Sequence, residues 1–302
     1  MNTSKPVDPS DLFSAKDLVI VITGGGSGIG LAYATALANS GASKVFLLSR
    51  RLEPLEAAAK AINPSIVHPI QCDVTSPDSI ASAVKVVESQ VSHVDVLINN
   101  AGIIGPDHNQ VNKAQSIREV QQVLQSDWAK WDTTWQTNTS AVVGVSAAFL
   151  HLLDKGNKRR GWVQGKRETQ KRDGSASYDA HDQRTSQIIT VASIAAFNRK
   201  ITAGLAYTAS KAGAVMLGKS MSHFLAPWGI RSNIICPGRF PSDMTAGGAT
   251  VFPVNEIPAG TQGEYEDMAG LILFMVGKSG AYHNGSVQVI DGGRLSVMPA
   301  TY

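Results

Sequence analysis

Tyr207 and Lys211 stand four residues apart at the start of a stretch, 208–225, that reads as helical. That spacing puts both side chains on one helix face. A free tyrosine titrates near pH 10, too high for a base near neutrality. An ammonium one turn away favours the phenolate, so such a tyrosine can hand a proton to a forming alkoxide or take one from an alcohol. Ser193 ends the preceding apolar run and offers a hydroxyl to the same oxygen, and Asn138 lies near the start of another helical stretch. Taken alone, a Tyr-x-x-x-Lys pair also occurs on helix surfaces that do no chemistry.

A second constellation suits a phosphate. Thr23-Gly24-Gly25-Gly26-Ser27-Gly28-Ile29-Gly30 follows a β-branched run and opens an alanine-rich helical segment. Glycines there permit a tight turn and close approach of backbone to a pyrophosphate, and the helix start offers free N–H groups. The end of the next strand carries Ser49-Arg50-Arg51 where an acidic residue would receive the ribose hydroxyls of NAD. A hydroxyl beside guanidinium groups suits a 2′-phosphate, which points to NADP(H). Two solvent-facing arginines at a helix start are the plainer alternative. Asp73-Val74 is placed to flank an adenine, although Asp73 serves equally as a helix cap.

These residues need a frame. Apolar β-branched runs at 18–23, 45–48, 66–72, 95–98, 188–191, 231–235 and 286–290 read as strands. Helical stretches at 28–40, 52–62, 78–91, 141–153, 208–225 and 267–275 alternate with them. The pattern predicts one α/β domain, 18–302, built on a doubly wound, seven-stranded parallel sheet with helices on both faces. Residues 1–17 are expected to form a polar N-terminal extension. Residues 103–132 form a long polar stretch, and 154–186 are charge-rich and read as a solvated surface insertion. Because that insertion precedes a strand, it belongs at the amino ends of the sheet, away from a ligand at the carboxyl ends. Its replacement by a linker is therefore expected to spare activity.

Composition narrows the class. Of 302 residues, 43% are hydrophobic, enough for a sizeable core, and a net charge of +3 is too weak to argue for nucleic acid or a membrane surface. Cys72 and Cys236 lie far apart without metal-ligand spacing, so no metal is expected and both read as reduced thiols. With no leader-like or membrane-spanning run, the expected location is the cytoplasm.

Together the motifs resemble those of the short-chain dehydrogenase/reductase family in its single-domain form. They occur in family order: Thr23-Gly24-x-x-x-Gly28-Ile29-Gly30, Asp73-Val74, Asn99-Asn100-Ala101-Gly102, Asn138, Ser193, Tyr207-x-x-x-Lys211 and Pro237-Gly238. The resemblance implies Tyr207 as acid/base, Ser193 as the donor that positions substrate, and Lys211 as modulator of Tyr207 and ligand of a ribose. It implies that Asn138 holds a water in a proton relay to Lys211. Asn99, Asn100, Ala101 and Gly102 would line the cofactor cleft, Pro237-Gly238 would border the nicotinamide, and Thr245 would reach its carboxamide. It also implies a homodimer or homotetramer built on the helices at 141–153 and 208–225, whose Val142, Val145, Phe149, Val215, Met216 and Phe224 exceed what one buried face absorbs. The stretch 240–245 is similar to that of fungal family members acting in secondary metabolism. Ile103, Ile104, Ile194, Phe240, Met244 and Phe252 are candidates for an apolar pocket that admits a bulky ketone, or for ordinary core. The leading expectation is an NADPH-dependent carbonyl reductase. An NAD(P)⁺-dependent alcohol dehydrogenase working in the oxidative direction and a non-catalytic dinucleotide sensor are the rivals.

Overall fold

A computed structural model of the chain describes residues 8–169, 172 and 182–301. Its frame is a seven-stranded sheet, every neighbouring pair parallel, in the order β3-β2-β1-β4-β5-β6-β7. The strands are β1 (Val19–Thr23), β2 (Lys44–Ser49), β3 (Val67–Gln71), β4 (Val96–Asn99), β5 (Gln187–Val191), β6 (Arg231–Pro237) and β7 (Val287–Ile290). β1 shows why the fold is layered. Its residues are all apolar but Thr23, and the pleat sends Ile20 and Ile22 into one core and Val19 and Val21 into the other. On one face lie α2 (Gly28–Asn39), α3 (Leu52–Ile62) and α9 (Tyr265–Val276), which contribute Leu37, Leu55 and Ile272. On the other lie α4 (Pro77–Glu88), α7 (Ala141–Arg159) and α8 (Leu205–Phe224), which contribute Val84, Phe149 and Met221. No helix of the described residues is long and apolar enough to cross a membrane.

Three segments differ from the sequence expectation. Residues 9–12 form a short helix, α1 (Pro9–Leu12), capped by Asp8 and tied to Lys278 through Asp11. Ala15 is fully buried, so the segment ahead of β1 is partly built into the fold.

The polar stretch after β4 holds two helices, α5 (Ile117–Leu124) and α6 (Trp128–Trp135). Ser116 accepts from the Glu119 N–H, while the Glu119 carboxylate accepts from the Gln115 N–H, which starts α5.

The charge-rich segment is the third difference. α7 runs on to Arg159, because Gly156 lets the helix pass against the Val94 carbonyl and Asn157 is held by the Ser186 and Gly229 backbone. Beyond it Arg160, Trp162, Arg184 and Ser186 are buried, so these residues are not a solvated excursion. They sit at the amino ends of the strands, as topology requires. Arg160 pairs with the fully buried Asp95 at 2.9 Å, just ahead of β4, and the Trp162 indole donates to the Arg184 carbonyl. Burial alone would push the Asp95 carboxyl up. Arg160, His93 and Arg159 outweigh it and hold the group below the carboxylate range. Residues 170–171 and 173–181 of the predicted insertion lie outside the described residues.

Candidate active site

The carboxyl ends of β1, β4, β5 and β6 carry the residues singled out by chemistry. Thr23 ends β1, and its hydroxyl accepts from the N–H groups of Asn100 and Ala101, tying β1 to the exit of β4. The Asn100 carboxamide donates to the carbonyls of Thr23 and Gly24 at 3.0 Å each, fixing the glycine-rich turn. Gly24 and Gly28 have φ of +67° and +54°, which a side chain rarely tolerates. A Cβ on Gly30 would run into the Gly24 carbonyl. Ser27 begins α2 with its hydroxyl unused as a cap, so the helix start is open to an acceptor from outside. Ile29 is half-buried against the core beneath. Ser49, Arg50 and Arg51 follow at the tip of β2, and both arginines are exposed. A cradle of glycines, an open helix start and nearby guanidinium groups fits the phosphates of a dinucleotide.

Two assignments shift. Asp73 accepts from the N–H and hydroxyl of Thr75, and α4 is capped by Ser76, so Asp73 shapes its own turn rather than capping the helix. Val74 beside it is buried. The Thr245 hydroxyl donates to the Phe240 carbonyl at 2.7 Å and braces the loop after β6. Ser242, which sequence reasoning passed over, lies nearest the turn: a Cβ on Gly28 would come within 3.1 Å of it. Next to it the Asp243 carboxylate accepts from Ser27 Oγ at 3.3 Å and pairs with Arg51 at 3.0 Å. Pro237 closes β6, and Gly238 donates to the Ile290 carbonyl in close contact with Asp291, room that a side chain there would remove.

The side chains expected to react gather at β5 and α8. Ser193 follows β5, accepts from the Ala195 N–H, and stands near enough to the Tyr207 hydroxyl to influence its titration. Burial pushes Tyr207 above the ordinary tyrosine value, while Ser193 pulls it down and the Cys236 thiol adds a smaller rise. The lowering by Lys211 expected from the sequence is not among these influences, although Lys211 Nζ lies 5.8 Å from the centre of the Tyr207 ring. Lys211 is itself buried, donates to the Val191 carbonyl at 3.0 Å, and is pushed by burial down to about 8. A Cβ on Gly102 would meet Lys211 Nζ at 3.1 Å and Asn138 Oδ1 at 3.3 Å, so Gly102 marks where these residues approach.

Asn138 sits in a π-helical turn, Gln136–Ser140, ahead of α7. Its Oδ1 accepts from the Ile103 N–H, and its Nδ2 donates to the Ile103 carbonyl and Ser210 Oγ. Asn138 thus clamps the strand exit to α8. Of the apolar pocket candidates, Ile194 and Phe240 are core, while Ile104 and Met244 are exposed. A cavity of about 810 Å³ opens beside the helices after β4, with polar walls that include Asp107, Lys113, Glu119 and Lys130.

Residues 18–163 match a family model described as short chain dehydrogenase, and residues 175–294 match one described as Enoyl-(Acyl carrier protein) reductase. The chain is 38% identical over 309 residues to short-chain dehydrogenase/reductase VdtF of Byssochlamys spectabilis, spanning 99% of both. It is 37% identical over 314 residues to short-chain dehydrogenase/reductase PhomF of Diaporthe leptostromiformis, spanning 99% of this chain and 100% of the relative. Among solved structures, the Pseudomonas aeruginosa RhlG/NADP active-site complex is similar with a TM-score of 0.75 at 27% identity, covering 94% of this chain and 98% of that one.

Proposed function

The chain belongs to the short-chain dehydrogenase/reductase family, and from that premise we propose that it is an NADP(H)-dependent reductase of a bulky ketone, with Tyr207 as the proton donor. The observation that carries this reading is the gathering of Ser193, Tyr207 and the buried Lys211 at the carboxyl edge of the sheet, next to the glycine-rich turn. When bound, the nicotinamide supplies the hydride. Ser193 donates to the substrate carbonyl oxygen and holds it for attack. Tyr207 delivers its hydroxyl proton to the same oxygen as negative charge develops there. The Lys211 ammonium one turn along stabilises the phenolate left behind. Asn138 keeps Gly102 and Ile103 in place against α8.

Ser49, Arg50 and Arg51 support the 2′-phosphate of NADP(H) over the bare ribose of NAD(H). The similarity to a structure solved as an NADP complex is consistent with that choice of cofactor.

Tyr207→Phe keeps the ring and removes the acid. It is expected to cost at least ~100-fold in turnover of a bulky ketone, with NADPH affinity nearly unchanged. Turnover within a few-fold of the parent would rule Tyr207 out as the acid, and equal affinity of the parent for NADH and NADPH would rule out the cofactor assignment.

A further inference from the structure

We propose that His108 is a positioning residue that caps the catalytic helix from the insertion after β4, an inference that rests on the reductase reading for its kinetic consequence. α8 begins at Leu205, two residues before Tyr207, and its N-cap is Gly204, which has no side chain to satisfy the first free N–H groups. The His108 ring does this from outside: its Nδ1 accepts from the Leu205 N–H at 3.1 Å. His108 is completely buried in its loop. To accept there, Nδ1 must carry no proton, which leaves the ring proton to Nε2.

The fit is close on both sides. Gly204 has φ of +90°, and a Cβ there would run into the Pro106 carbonyl, so the helix start is shaped to receive this loop. Asn109 and Asn112 donate to the carbonyls of Thr202 and Ile201 at 3.1 and 3.0 Å, extending the seam along the chain that leads into α8. Behind the imidazole lies Trp131 of α6, ring centres 5.7 Å apart, and Trp128 packs on Trp131 at 5.6 Å. The loop is pinned at its other end too, where Asn138 holds both backbone polar groups of Ile103. The insertion therefore grips the first turn of α8 on one side and the strand exit beside Lys211 on the other. An error in the pitch of that turn moves the Tyr207 hydroxyl relative to Ser193, whose place is set independently by β5.

Two substitutions separate capping from packing. Asparagine at 108 carries Oδ1 where the ring carries Nδ1 and can accept from Leu205, whereas alanine cannot. In the full-length chain, His108→Ala is expected to speed amide exchange at Leu205 by about tenfold and to lower kcat by about tenfold, with NADPH affinity and KM within about twofold. His108→Asn is expected to return both exchange and kcat to within about threefold of the parent. Unchanged exchange at Leu205, or an asparagine variant as impaired as the alanine one, would overturn the assignment. Should His108→Ala fail to fold, the ¹⁵N spectrum of the parent decides: an unprotonated Nδ1 supports the cap and a protonated one overturns it. A parent that oxidises NADPH with no ketone would count against the reductase reading, while the exchange and spectral results would still decide on His108.

Discussion

Lys211 gives the site a pH dependence in which stability and activity move in opposite directions. Burial places its titration at about 8, against about 10.4 in an unfolded chain. Between those values the unfolded chain binds more protons than the folded one, so stability rises with pH through this window. The proposed mechanism uses the ammonium, so the proposed ketone reduction is expected to fall as one proton is lost at about pH 8 while the urea midpoint rises between about pH 8 and 9. Above that, Cys236, pushed up to about 12, and Arg231, pushed down to about 9, titrate with opposite effects on stability. An activity limb that tracks loss of folded protein would rule out this role for Lys211. Asp243 offers a second test at the same scale. Its carboxylate engages Ser27 and Arg51, groups proposed to face the cofactor phosphates. Exposed pairs of this kind are worth ~0.2–1 kcal/mol, so Asp243→Asn is expected to tighten NADPH by up to about fivefold, and NADH less. Equal tightening of both cofactors would place the effect away from the 2′-phosphate. The residues of the candidate site were legible because each sits at the end of a strongly patterned element: Thr23 closing β1, Ser193 after β5, and Tyr207 and Lys211 on one helix face. Asp243, Ser242 and His108 were not, since their roles arise from loops that meet only in three dimensions.

The elements that sequence patterning missed are those whose apolar content is small. α5 is amphipathic on a polar background, and its one strong mark was Ser116-x-x-Glu119, a capping signature. Trp128, Trp131 and Trp135 recur with helical spacing in α6. The end of α7 was hidden because Gly156 and Asn157 read as loop residues, although one permits close approach to Val94 and the other bonds two backbones. The same error made the following segment look dispensable. Replacing 154–186 by a linker removes Arg160 and leaves Asp95 buried and short of partners, so the variant is expected to be markedly destabilised. Arg160→Ala isolates the effect: breaking a buried pair costs ~3–5 kcal/mol, and Arg159 and His93 keep the loss near the lower figure. Urea denaturation measures it. Because Asp95 lies at the amino edge, NADPH affinity per folded molecule is expected to hold; a change there without a change in stability would show coupling across the sheet.

Assembly belongs to the whole molecule, and the fold revises the reason for expecting it. Val142, Val145, Phe149 and Val215 are buried within a single chain, so four of the six residues thought to be in surplus need no partner. What α8 leaves outside is narrower: Met216 is 63% exposed and Phe224 55%, eight residues apart and so near one stripe of the helix. Trp135 extends that stripe. It is 47% exposed, and its ring edge lies 3.2 Å from where a Cβ on Gly213 would stand, one turn from Met216. Val143 on α7 adds a fourth exposed apolar side chain. A lasting two-fold interface removes roughly 800 Å² from each partner, more than these four side chains present, so polar neighbours on α7 and α8 must join the contact. We expect a homodimer, or a tetramer made of two, closed across α7 and α8. A negative charge at the centre of that contact would have to be desolvated against its own symmetry mate. Met216→Glu is therefore expected to yield monomers at micromolar concentration by light scattering, while circular dichroism stays that of the parent. Since α8 carries Tyr207 and Lys211 on its buried side, the released monomer tests whether the helix needs its neighbour. Loss of kcat with retained NADPH affinity would mean that assembly holds the catalytic turn in place. A parent that is monomeric and fully active at every concentration would overturn the assembly prediction and leave the chemistry of Ser193, Tyr207 and Lys211 standing.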